Sequence, residues 1–578
     1  MKYLDLLDRL GKLNLVQEQA IELYYLLKAW KILSIEDIED EQLRYNTFFN
    51  KKVESKKMLK SFEELAKKHK VFKYYLEQNS NILKIDSEIL ALLYNIVEDE
   101  DILFSVNDAF FSQRNYRDFS LSYELADLSV KLITTDNKKL YVPFTNGFTH
   151  SYVTDIQVCM ESDNIHNAFI AELIKIIENK DLDFRLSDPL SNPSFINLNA
   201  PHLLEQFEAV ISFPPFGRRV KKDFSADKFN RFKFHRGMNL EIAYFEHILS
   251  QCSKKAAVLM PVGFSFRGGN EERFRKYLIE KNLIEAVIQL PSNMYNATSI
   301  ESTLFIINKQ KENENVLFIS LKDKQFVDKK SRKIILANID RVVDIYKEKQ
   351  EIENISILVK NEQIATTNYS LGVDRYVISA EAKKLQEILS NYRTIPLENI
   401  AEVRRSQLFK NEEEGKEVYE LSPSDFAKAG FTMEGGKLKK IGEQYTRYLT
   451  YKLQAFDVLV STKGTIGKVA IIGEISEPIV ASQASQVIRL DDKNKAIELY
   501  MFLKSNLGQA LLKQLTVGSS MPQISTNDIK KMPIPQLSQD EQKKVLLNFK
   551  SEIKLYNEIK KLQETIKQIH SNFLGENK

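Results

Sequence analysis

The sequence is short of cysteine, of net charge and of long apolar runs. Its 578 residues include only two cysteines, Cys159 and Cys252, in apolar contexts, which argues against a disulfide framework and against a metal site with characteristic ligand spacing. The formal net charge is +3, so a surface for nucleic acid has to come from local clustering of cations. No apolar run approaches bilayer length, and the amino terminus lacks the basic and apolar segments of a leader. These absences predict a cytoplasmic protein with no membrane segment and no bound metal.

The chain is longer than one hydrophobic core usually supports, so several domains are expected. Apolar residues recur at helical spacing at first, which predicts a helical bundle over 1–115. From about Tyr123, helices alternate with short apolar strands, the pattern of a parallel sheet wound with helices. The elements predicted in this region are helices at 125–133, 164–177, 239–252 and 271–281 and strands at 139–143, 155–160, 207–212, 256–260, 283–289 and 302–308.

Composition divides the remainder of the chain. The sheet region is expected to close near residue 330, followed by a helical connector over 331–392 with helices at 331–355 and 379–389. Short strands punctuated by glycine then predict a new domain over 393–540. Beyond it, apolar residues at steps of three or four predict a long coiled-coil-type helix over 541–578, through Phe549, Ile553, Tyr556, Ile559, Leu562, Ile566 and Ile569. Its seam packs either against its own chain or against a partner helix, and the pattern leaves both open.

The most informative segment is the apolar run 208–213, which stops at Pro214, Pro215, Phe216 and Gly217. Two prolines cannot donate to a sheet ladder, so the strand has to end there. Phe216 is therefore presented on a turn beyond the carboxyl end of the strand. Open α/β sheets bind their ligands at that edge.

A basic segment, residues 217–237, follows at once. It contains eight basic residues, two acids and four phenylalanines. Cations for phosphates and rings for bases favour contact with nucleic acid. The alternative is a solvated charged loop whose phenylalanines fold inward. The candidate DNA-binding cations of this segment are Arg218, Arg219, Lys221, Lys222, Arg231, Lys233 and Arg236.

Two regions of the sequence resemble subunits of type I restriction-modification systems. Residues 254–309, with the runs 256–263, 266–269 and 290–295, closely resemble the modification subunits, and this resemblance covers about residues 80–380. Residues 464–468, 522–525 and 533–535 are similar to one target-recognition domain of the specificity subunits. The resemblance implies that modification and specificity parts are fused in one chain.

The resemblance also implies a fold and a site. The fold is multidomain, α and α/β: a helical domain over 1–115, a Rossmann-like class I methyltransferase domain over 116–330, the connector over 331–392, an α+β target-recognition domain over 393–540 and the coiled-coil-type helix. In the family, the Pro-Pro-aromatic run is the active-site motif of adenine amino-methyltransferases, so Pro214, Pro215 and Phe216 fall at the target-base site. The implied cofactor is S-adenosyl-L-methionine if the core is active, and none otherwise.

This sequence departs from the family at the reacting centre. A polar residue directly before the two prolines accepts a hydrogen bond from the adenine amino group in the family, whereas Phe213 stands here and has no acceptor. Ser212 is one residue too early, and strand alternation points it to the opposite face. Because an oriented hydrogen-bond partner is worth several kcal/mol of barrier, the departure predicts a degenerate and inactive core.

The cofactor loop departs as well. In the stretch 141–148, Val142 replaces the family's acid, Gly147 is the one remaining glycine, and Phe144 and Phe148 add bulk. Two acids are retained, Glu161 for ribose hydroxyls and Asp188 for the adenine amino group. The alternative for both acids is an ordinary strand-end carboxylate that faces solvent.

The recognition-type domain offers two polar and basic clusters. Residues 461–468 bring together hydroxyls, two lysines and two glycines, and residues 404–407 add arginines, a serine and a glutamine. Arg and Gln read base edges, while Lys and Ser more often hold phosphates. The DNA-binding candidates are Arg404, Arg405, Lys463 and Lys468, although Gly464 and Gly467 are equally consistent with simple turns.

The leading interpretation is sequence-specific binding of double-stranded DNA by a modification-specificity fusion whose methyltransferase core is degenerate. One alternative is an active adenine-specific DNA methyltransferase of a restriction-modification or defence system. Another is a non-catalytic protein-interaction scaffold in such a system. A single recognition domain with one long helix suggests a homodimer or an assembly with other restriction-modification subunits.

Overall fold

The computed structural model describes residues 9–571 except for 12–14, 39, 42–43, 50–53, 79–84, 100–103, 112–120, 135–137, 145–146, 222, 293, 295–299, 331–332, 434, 443–444 and 517–521. The chain divides into two compact units, Met1–Leu371 and Gly372–Lys578. Lys222, a predicted DNA-binding residue, lies outside the described residues.

Helices form the first part of the N-terminal unit. They are α1 Gln17–Asp37, α2 Tyr45–Phe49, α3 Ser55–Lys68, α4 Lys70–Gln78, α5 Ser87–Glu98, α6 Val106–Phe111 and α7 Tyr123–Ile133. The predicted helical character is confirmed, but Trp30 of α1 and Phe62 of α3 belong to the same continuous hydrophobic core as Val158 and Ile288 of the sheet. The expected boundary at residue 115 therefore does not separate two hydrophobic cores.

Among the described residues, nine strands of the N-terminal unit form one sheet in the order β11-β8-β6-β7-β5-β4-β1-β2-β3. Strands β1 to β5 pair in parallel, and β7 lies antiparallel between β5 and β6. The strands are β1 Lys139–Tyr141, β2 Gln157–Ser162, β3 Leu182–Leu186, β4 Phe207–Ser212, β5 Cys252–Pro261, β6 Ile284–Gln289, β7 Ser302–Asn308, β8 Asn315–Ser320 and β11 Ser356–Lys360. The helices around them are α8 Ile165–Glu178, α9 Glu241–Gln251, α10 Asn270–Glu280, α11 Ile339–Glu348 and α12 Asn361–Thr366.

Local sequence accounts for most of these elements. Helix α7 begins where the Ser122 side chain accepts a hydrogen bond from the Leu125 N–H, and α8 begins where Asn164 caps the His166 N–H in the same way. Strands β4 and β7 occupy the predicted ranges. Strand β5 begins earlier than predicted, at Cys252, because its ladder with β4 starts at the pairing of Phe207 with Cys252.

The region after residue 330 differs from the prediction. The stretch 331–355 is not helical throughout: β10 Lys333–Leu336 forms a hairpin with β9 Val327–Lys330 before helix α11 begins. Strand β11 then pairs with β8, so the sheet continues beyond the predicted end of the domain. The sequence pattern missed β11 because it is a short edge strand that directly follows a charged helix.

The C-terminal unit is built from short strands, as predicted. Its described strands form a five-stranded sheet β13-β20-β17-β18-β15, a three-stranded sheet β16-β14-β19 and the pair β12-β21. These strands are β12 Thr394–Pro396, β13 Glu402–Arg405, β14 Lys416–Leu421, β15 Phe431–Thr432, β16 Lys437–Ile441, β17 Val458–Ser461, β18 Val469–Ile472, β19 Ile479–Ala481, β20 Ser485–Arg489 and β21 Pro533–Pro535. The helices are α13 Ala380–Ser390, α14 Tyr445–Tyr451, α15 Lys493–Lys504, α16 Asn506–Leu515, α17 Thr526–Lys530 and α18 Gln539–Ser571.

Helix α18 is the long helix that the spacing predicted, with 33 residues. Its first part packs on its own unit: Phe549 is buried against Tyr500 and Phe431, and Glu552 accepts a hydrogen bond from the Tyr500 hydroxyl. Its later apolar residues, from Leu555 to Ile569, are exposed. Within the described part of the chain, no helix combines the length and the apolar character that a bilayer crossing requires.

Candidate functional site

The candidate site lies where the carboxyl ends of β1, β2, β3 and β4 meet. These strands are neighbours in the sheet and run in parallel, so the segments that follow them converge at one edge. Those segments contain the cofactor loop, the two retained acids and the Pro-Pro turn.

The Pro-Pro turn directly follows β4. Pro214 is buried and Pro215 is exposed, and Gly217 adopts a left-handed φ of 67° that closes the turn. Phe216, the predicted stacking ring for a flipped base, is half-buried and packs against the hydrophobic core. The ring therefore has a packing role in addition to any contact with a base.

Neither residue before the prolines offers an acceptor at this turn. The ring of Phe213 packs against the ring of His150, with centroids 5.4 Å apart. Ser212 is fully buried, and its hydroxyl donates to the carbonyl oxygen of Pro143 at 2.9 Å. The Ser212 hydroxyl thus holds the cofactor loop to strand β4.

Glu161 was expected to bind ribose hydroxyls or to face solvent, and its burial excludes the solvent-facing alternative. It is 3% exposed, and its Oε2 accepts from the Ser187 hydroxyl at 2.7 Å and from the amide and hydroxyl of Ser194 at 2.8 and 2.6 Å. Its Oε1 accepts from the Tyr141 hydroxyl. Both carboxylate oxygens are therefore bonded within the protein, three bonds on Oε2 and one on Oε1.

Asp188 lies in the turn after β3 and is half-buried. Its carboxylate accepts from the Leu190 amide at 3.0 Å and from the Ser191 hydroxyl at 2.7 Å. These bonds stabilise the turn. Asp188 is therefore not simply an acid that faces solvent, as the alternative proposed.

Gly147 packs against a helix of its own unit. Its φ is 87°, and an added Cβ would lie 3.3 Å from both Asn107 Oδ1 and Phe111 Cγ of α6. The same Asn107 oxygen accepts from the Phe148 amide at 2.8 Å. The glycine is therefore explained by backbone conformation and by packing on α6.

Phe144 is one of the two bulky residues of the cofactor loop, and its ring packs on helix α9. Its φ of 61° is left-handed, and its ring packs on Tyr244 and His247 of α9, with centroids 4.7 and 5.3 Å apart. A non-glycine residue in this conformation is uncommon and is held by its surroundings.

Arg231 was predicted to contact DNA, and the structure contradicts this. Its side chain is 1% exposed and forms an ion pair with Asp227 at 2.7 Å. Its guanidinium also donates to the carbonyl oxygens of Pro189 and Leu190, at 2.8 and 2.7 Å. The charge pattern could not distinguish this buried cation from its exposed neighbours.

A chain of buried polar side chains connects Arg231 to Glu161. Arg231 Nη1 lies 2.7 Å from His247 Nδ1, and His247 Nε2 lies 3.0 Å from the Tyr141 hydroxyl, which donates to Glu161. Because a guanidinium only donates, Nδ1 must accept, and the ring hydrogen is on Nε2. Burial, assisted by the charge of Arg231, lowers the pKa of His247 well below its usual value, so the ring is neutral.

The phenylalanine rings of the basic segment are half-buried and contact other side chains, which supports the alternative that they fold inward. Phe224 packs on Phe232 with centroids 4.0 Å apart, and Phe234 packs on Phe274 and Tyr277 of α10. The inward-folded alternative holds for these phenylalanines. The predicted cations that remain exposed are Arg218, Arg219, Lys221, Lys233 and Arg236.

Glu246 of α9 holds the end of the basic segment. Its carboxylate accepts from the backbone amides of Lys233, Phe234 and His235 at 2.7, 2.7 and 3.0 Å. Burial raises the pKa of Glu246, and the three amides oppose that rise. No sequence pattern predicted this contact, because an acid within a helix is expected to face solvent.

The predicted cations of the C-terminal unit are exposed or half-buried, whereas three hydroxyl residues of the same clusters, Ser406, Ser461 and Thr462, are buried. Arg405 and Lys468 are exposed, Lys463 is half-buried, and Arg404 donates to Glu402 at 2.5 Å. Gly464 and Gly467 have left-handed φ angles of 73° and 83°, so the turn reading holds for both. Arg404 lines a groove of about 660 Å³ together with Lys452, Gln454, Glu474 and Arg489, among others.

One further cluster brings together residues that are distant in sequence. Glu18 and Glu22 of α1 and His166 of α8 have their donor atoms within 4.8 Å of one another. His166 Nδ1 lies 3.4 Å from Glu22 Oε1, and burial lowers the pKa of His166. The contact joins α1 to α8, and no spacing rule could reveal it.

Comparison with known proteins matches both halves of the chain. Residues 165–385 match the N-6 DNA Methylase family, and residues 390–568 match the Type I restriction modification DNA specificity domain. The chain is 32% identical over 188 residues to the type I restriction enzyme MpnII methylase subunit of Mycoplasma pneumoniae, covering 31% of this chain and 34% of that subunit. It is 22% identical over 402 residues to the MjaVIII methylase subunit of Methanocaldococcus jannaschii, covering 64% of this chain and 69% of that subunit.

The fold has a counterpart among solved structures. The methyltransferase subunit of a type I restriction-modification system from Streptococcus thermophilus superposes with a TM-score of 0.55 at 17% identity, covering 65% of this chain and 98% of that one. The sequence match spans only about a third of the Mycoplasma subunit. The chain carries an N-6 DNA methylase domain followed by a type I restriction-modification DNA specificity domain in one polypeptide.

Proposed function

We propose that this chain binds duplex DNA sequence-specifically through its specificity domain, residues 393–540, and that its methylase core does not transfer methyl groups. The observation that carries the second part is the bonding of both Glu161 carboxylate oxygens within the protein, by Tyr141, Ser187 and Ser194. A ribose diol would have to displace these bonds, and each displaced buried group costs about 1–3 kcal/mol. The internal bonding of Glu161 therefore supports a core that does not bind S-adenosyl-L-methionine.

The reacting centre supports the same proposal. Transfer to an adenine amino group needs an oriented acceptor beside the flipped base. Phe213 packs on His150 in that position, and the Ser212 hydroxyl is bonded to Pro143. The turn can present a ring to a base but has no side-chain acceptor to orient the amino group.

Duplex DNA is supported by exposed cations in both units. In the N-terminal unit they lie on the basic segment, and in the C-terminal unit they include Arg405 and Lys468. Phosphate contacts position a duplex, while Arg and Gln side chains such as Arg447 and Gln407, joined at 2.7 Å, can read base edges.

An active adenine-specific methyltransferase is the second candidate, and one observation favours it. The turn Pro214-Pro215-Phe216 is retained within the segment that matches the N-6 DNA Methylase family. In that case, missing groups would have to be supplied by another subunit of a restriction-modification assembly.

The two candidates are separated by a methyl-transfer assay. The purified chain is incubated with labelled S-adenosyl-L-methionine and genomic DNA that lacks adenine methylation, with an active adenine methyltransferase on the same DNA as positive control. We expect no label in the DNA above the enzyme-free blank. Clear incorporation at adenine would reject the inactive core.

We further propose that two copies of the chain pair through α18, so that two specificity domains read a split site. Leu555, Ile559, Leu562, Ile566 and Ile569 follow one another at steps of four and three and are 48–64% exposed. This is the heptad spacing of a coiled coil, whose apolar seam needs a partner helix. The first part of α18 is already packed on its own unit through Phe549, so the exposed later part is the section that can accept a second copy.

A further inference from the structure

We propose that the Arg231 side chain fills the place at the carboxyl ends of β1, β2 and β3 where the family binds its cofactor. In this position, the Arg231 side chain holds the basic segment in its DNA-binding arrangement without S-adenosyl-L-methionine. This inference rests on the proposed function and deepens it, because it predicts that DNA affinity does not respond to the cofactor.

The first support is the completeness of the Arg231 contacts. A guanidinium has five N–H donors. Nη1 donates to the Pro189 carbonyl at 2.8 Å and to His247 Nδ1 at 2.7 Å, while Nη2 donates to the Leu190 carbonyl and to Asp227 Oδ1, both at 2.7 Å. Nε donates to Asp227 Oδ1 at 3.0 Å. All five donors are matched, and Asp227 balances the charge.

The second support is where these contacts lie. Pro189 and Leu190 follow β3 and come directly after Asp188, the residue expected to meet the adenine. His247 and Tyr141 extend the same network to Glu161 at the end of β2. The two acids expected to recognise a nucleoside are therefore bonded within the protein, Glu161 through the network that ends at Arg231 and Asp188 to Leu190 and Ser191 of its own turn.

The third support is the position of Arg231 within the basic segment. Exposed cations flank it on both sides, Arg218 and Lys221 before it and Lys233 and Arg236 after it. Glu246 fixes the backbone just beyond it through three amides. One buried guanidinium thus ties a basic surface to the sheet edge, and no cofactor is needed to order it.

The first experiment uses the unmodified full-length chain. Calorimetry with S-adenosyl-L-methionine up to about 1 mM is expected to detect no binding, and anisotropy with a labelled duplex is expected to give a Kd that about 1 mM cofactor changes by less than about twofold. Cofactor binding with a Kd below about 100 μM, or a change in DNA affinity above about fivefold, would overturn the inference. A chain that takes up no cofactor and also fails to bind DNA would reject the proposed function but not the Arg231 assignment.

The second experiment compares Arg231→Lys with Arg219→Lys, a matched change at an exposed position of the same segment. A lysine ammonium offers three donors and cannot replace the five N–H donors of the planar guanidinium. We expect Arg231→Lys to speed tryptic cleavage within residues 218–236 by about tenfold or more at unchanged circular dichroism, and Arg219→Lys to leave the rate near that of the unmodified chain. Equal protection in both variants would overturn the anchoring role. If Arg231→Lys does not fold, the calorimetric result on the unmodified chain decides.

Discussion

Ser194 donates both its backbone amide and its hydroxyl to Oε2 of Glu161, at 2.8 and 2.6 Å. Together with the Ser187 hydroxyl at 2.7 Å, it places two protein hydroxyls on the carboxylate that the family resemblance assigned to a ribose diol. The acid is retained in the sequence, but its bonding is internal. A retained residue type is therefore not evidence of a retained ligand site.

Removing the Tyr141 hydroxyl is expected to destabilise the N-terminal unit. In Tyr141→Phe, Glu161 Oε1 and His247 Nε2 would both lose a buried partner. We expect the free energy of unfolding to fall by about 2–4 kcal/mol, measured by urea denaturation. The half-buried Tyr277 provides the control, since Tyr277→Phe should change stability by less than about 0.5 kcal/mol. Equal effects of the two changes would contradict the network.

The stability of the N-terminal unit is expected to decline in mild acid. Burial lowers the pKa of His150 to about 3 and that of His247 well below its usual value. Between these lowered pKa values and the usual histidine pKa of about 6.5, the two histidines bind protons in the unfolded chain but not in the folded one. Their contribution to stability is therefore complete above about pH 6.5 and is lost as the pH falls.

His150→Phe should reduce the slope of stability against pH between about pH 4 and 6 by up to about 1.4 kcal/mol per pH unit. Denaturation curves at several pH values measure this slope. The exposed His202→Phe is the control and should leave it unchanged, because that side chain faces water in both states. A slope in His150→Phe equal to that of the parent would show that His150 is not buried in its neutral form.

Exposed cations of the basic segment are expected to set the salt dependence of DNA binding. Each cation that neutralises a phosphate contributes about 0.9 to the slope of log K against log salt. Replacing Arg218, Arg219 and Lys221 by Gln should therefore flatten the slope by up to about 2.7. The exposed Lys281, Lys347 and Lys383, replaced in the same way, match the loss of charge at other positions. Equal slopes in the two triple variants would place the DNA away from the basic segment.

The seam of α18 is expected to control the oligomeric state. Leu562→Glu puts a charge at the centre of the proposed interface and should weaken the dimer by about a hundredfold or more in sedimentation or light scattering. Leu547→Glu is the control, since Leu547 is 61% exposed against 63% for Leu562. Leu547 lies about 80° around the helix from the seam. A parent chain that stays monomeric at tens of micromolar would reject the pairing.

Strong local patterns were predicted correctly. Strands β4 and β7 have the predicted bounds, because each is a run of apolar residues ended by proline or polar residues. The end of β4 at the Pro-Pro turn follows from the missing donors of proline. Edge strand β11 was missed, because its place in the sheet depends on pairing with β8 and not on its own composition.

The candidate site could be predicted only in part, because part of it depends on contacts between distant segments of the chain. The loss of an acceptor at Phe213 and of an acid at Val142 can be read directly, since it depends on residue type alone. The fate of Arg231 and Glu161 depends on groups that lie far away in the chain, such as Pro189 for the arginine and Tyr141 for the glutamate. Charge patterning placed Arg231, and the family resemblance placed Glu161, at a ligand surface, whereas folding buried both.

The sequence by itself determined where the strongest helices and strands lie, the two regions and the chemistry missing from the reacting centre, because these follow from proline, from apolar periodicity and from residue identity. The tertiary structure decided which charged groups face water, because burial and hydrogen-bond partners arise from contacts between distant segments. It thereby turned two predicted ligand-binding residues, Arg231 and Glu161, into the two ends of one internal network.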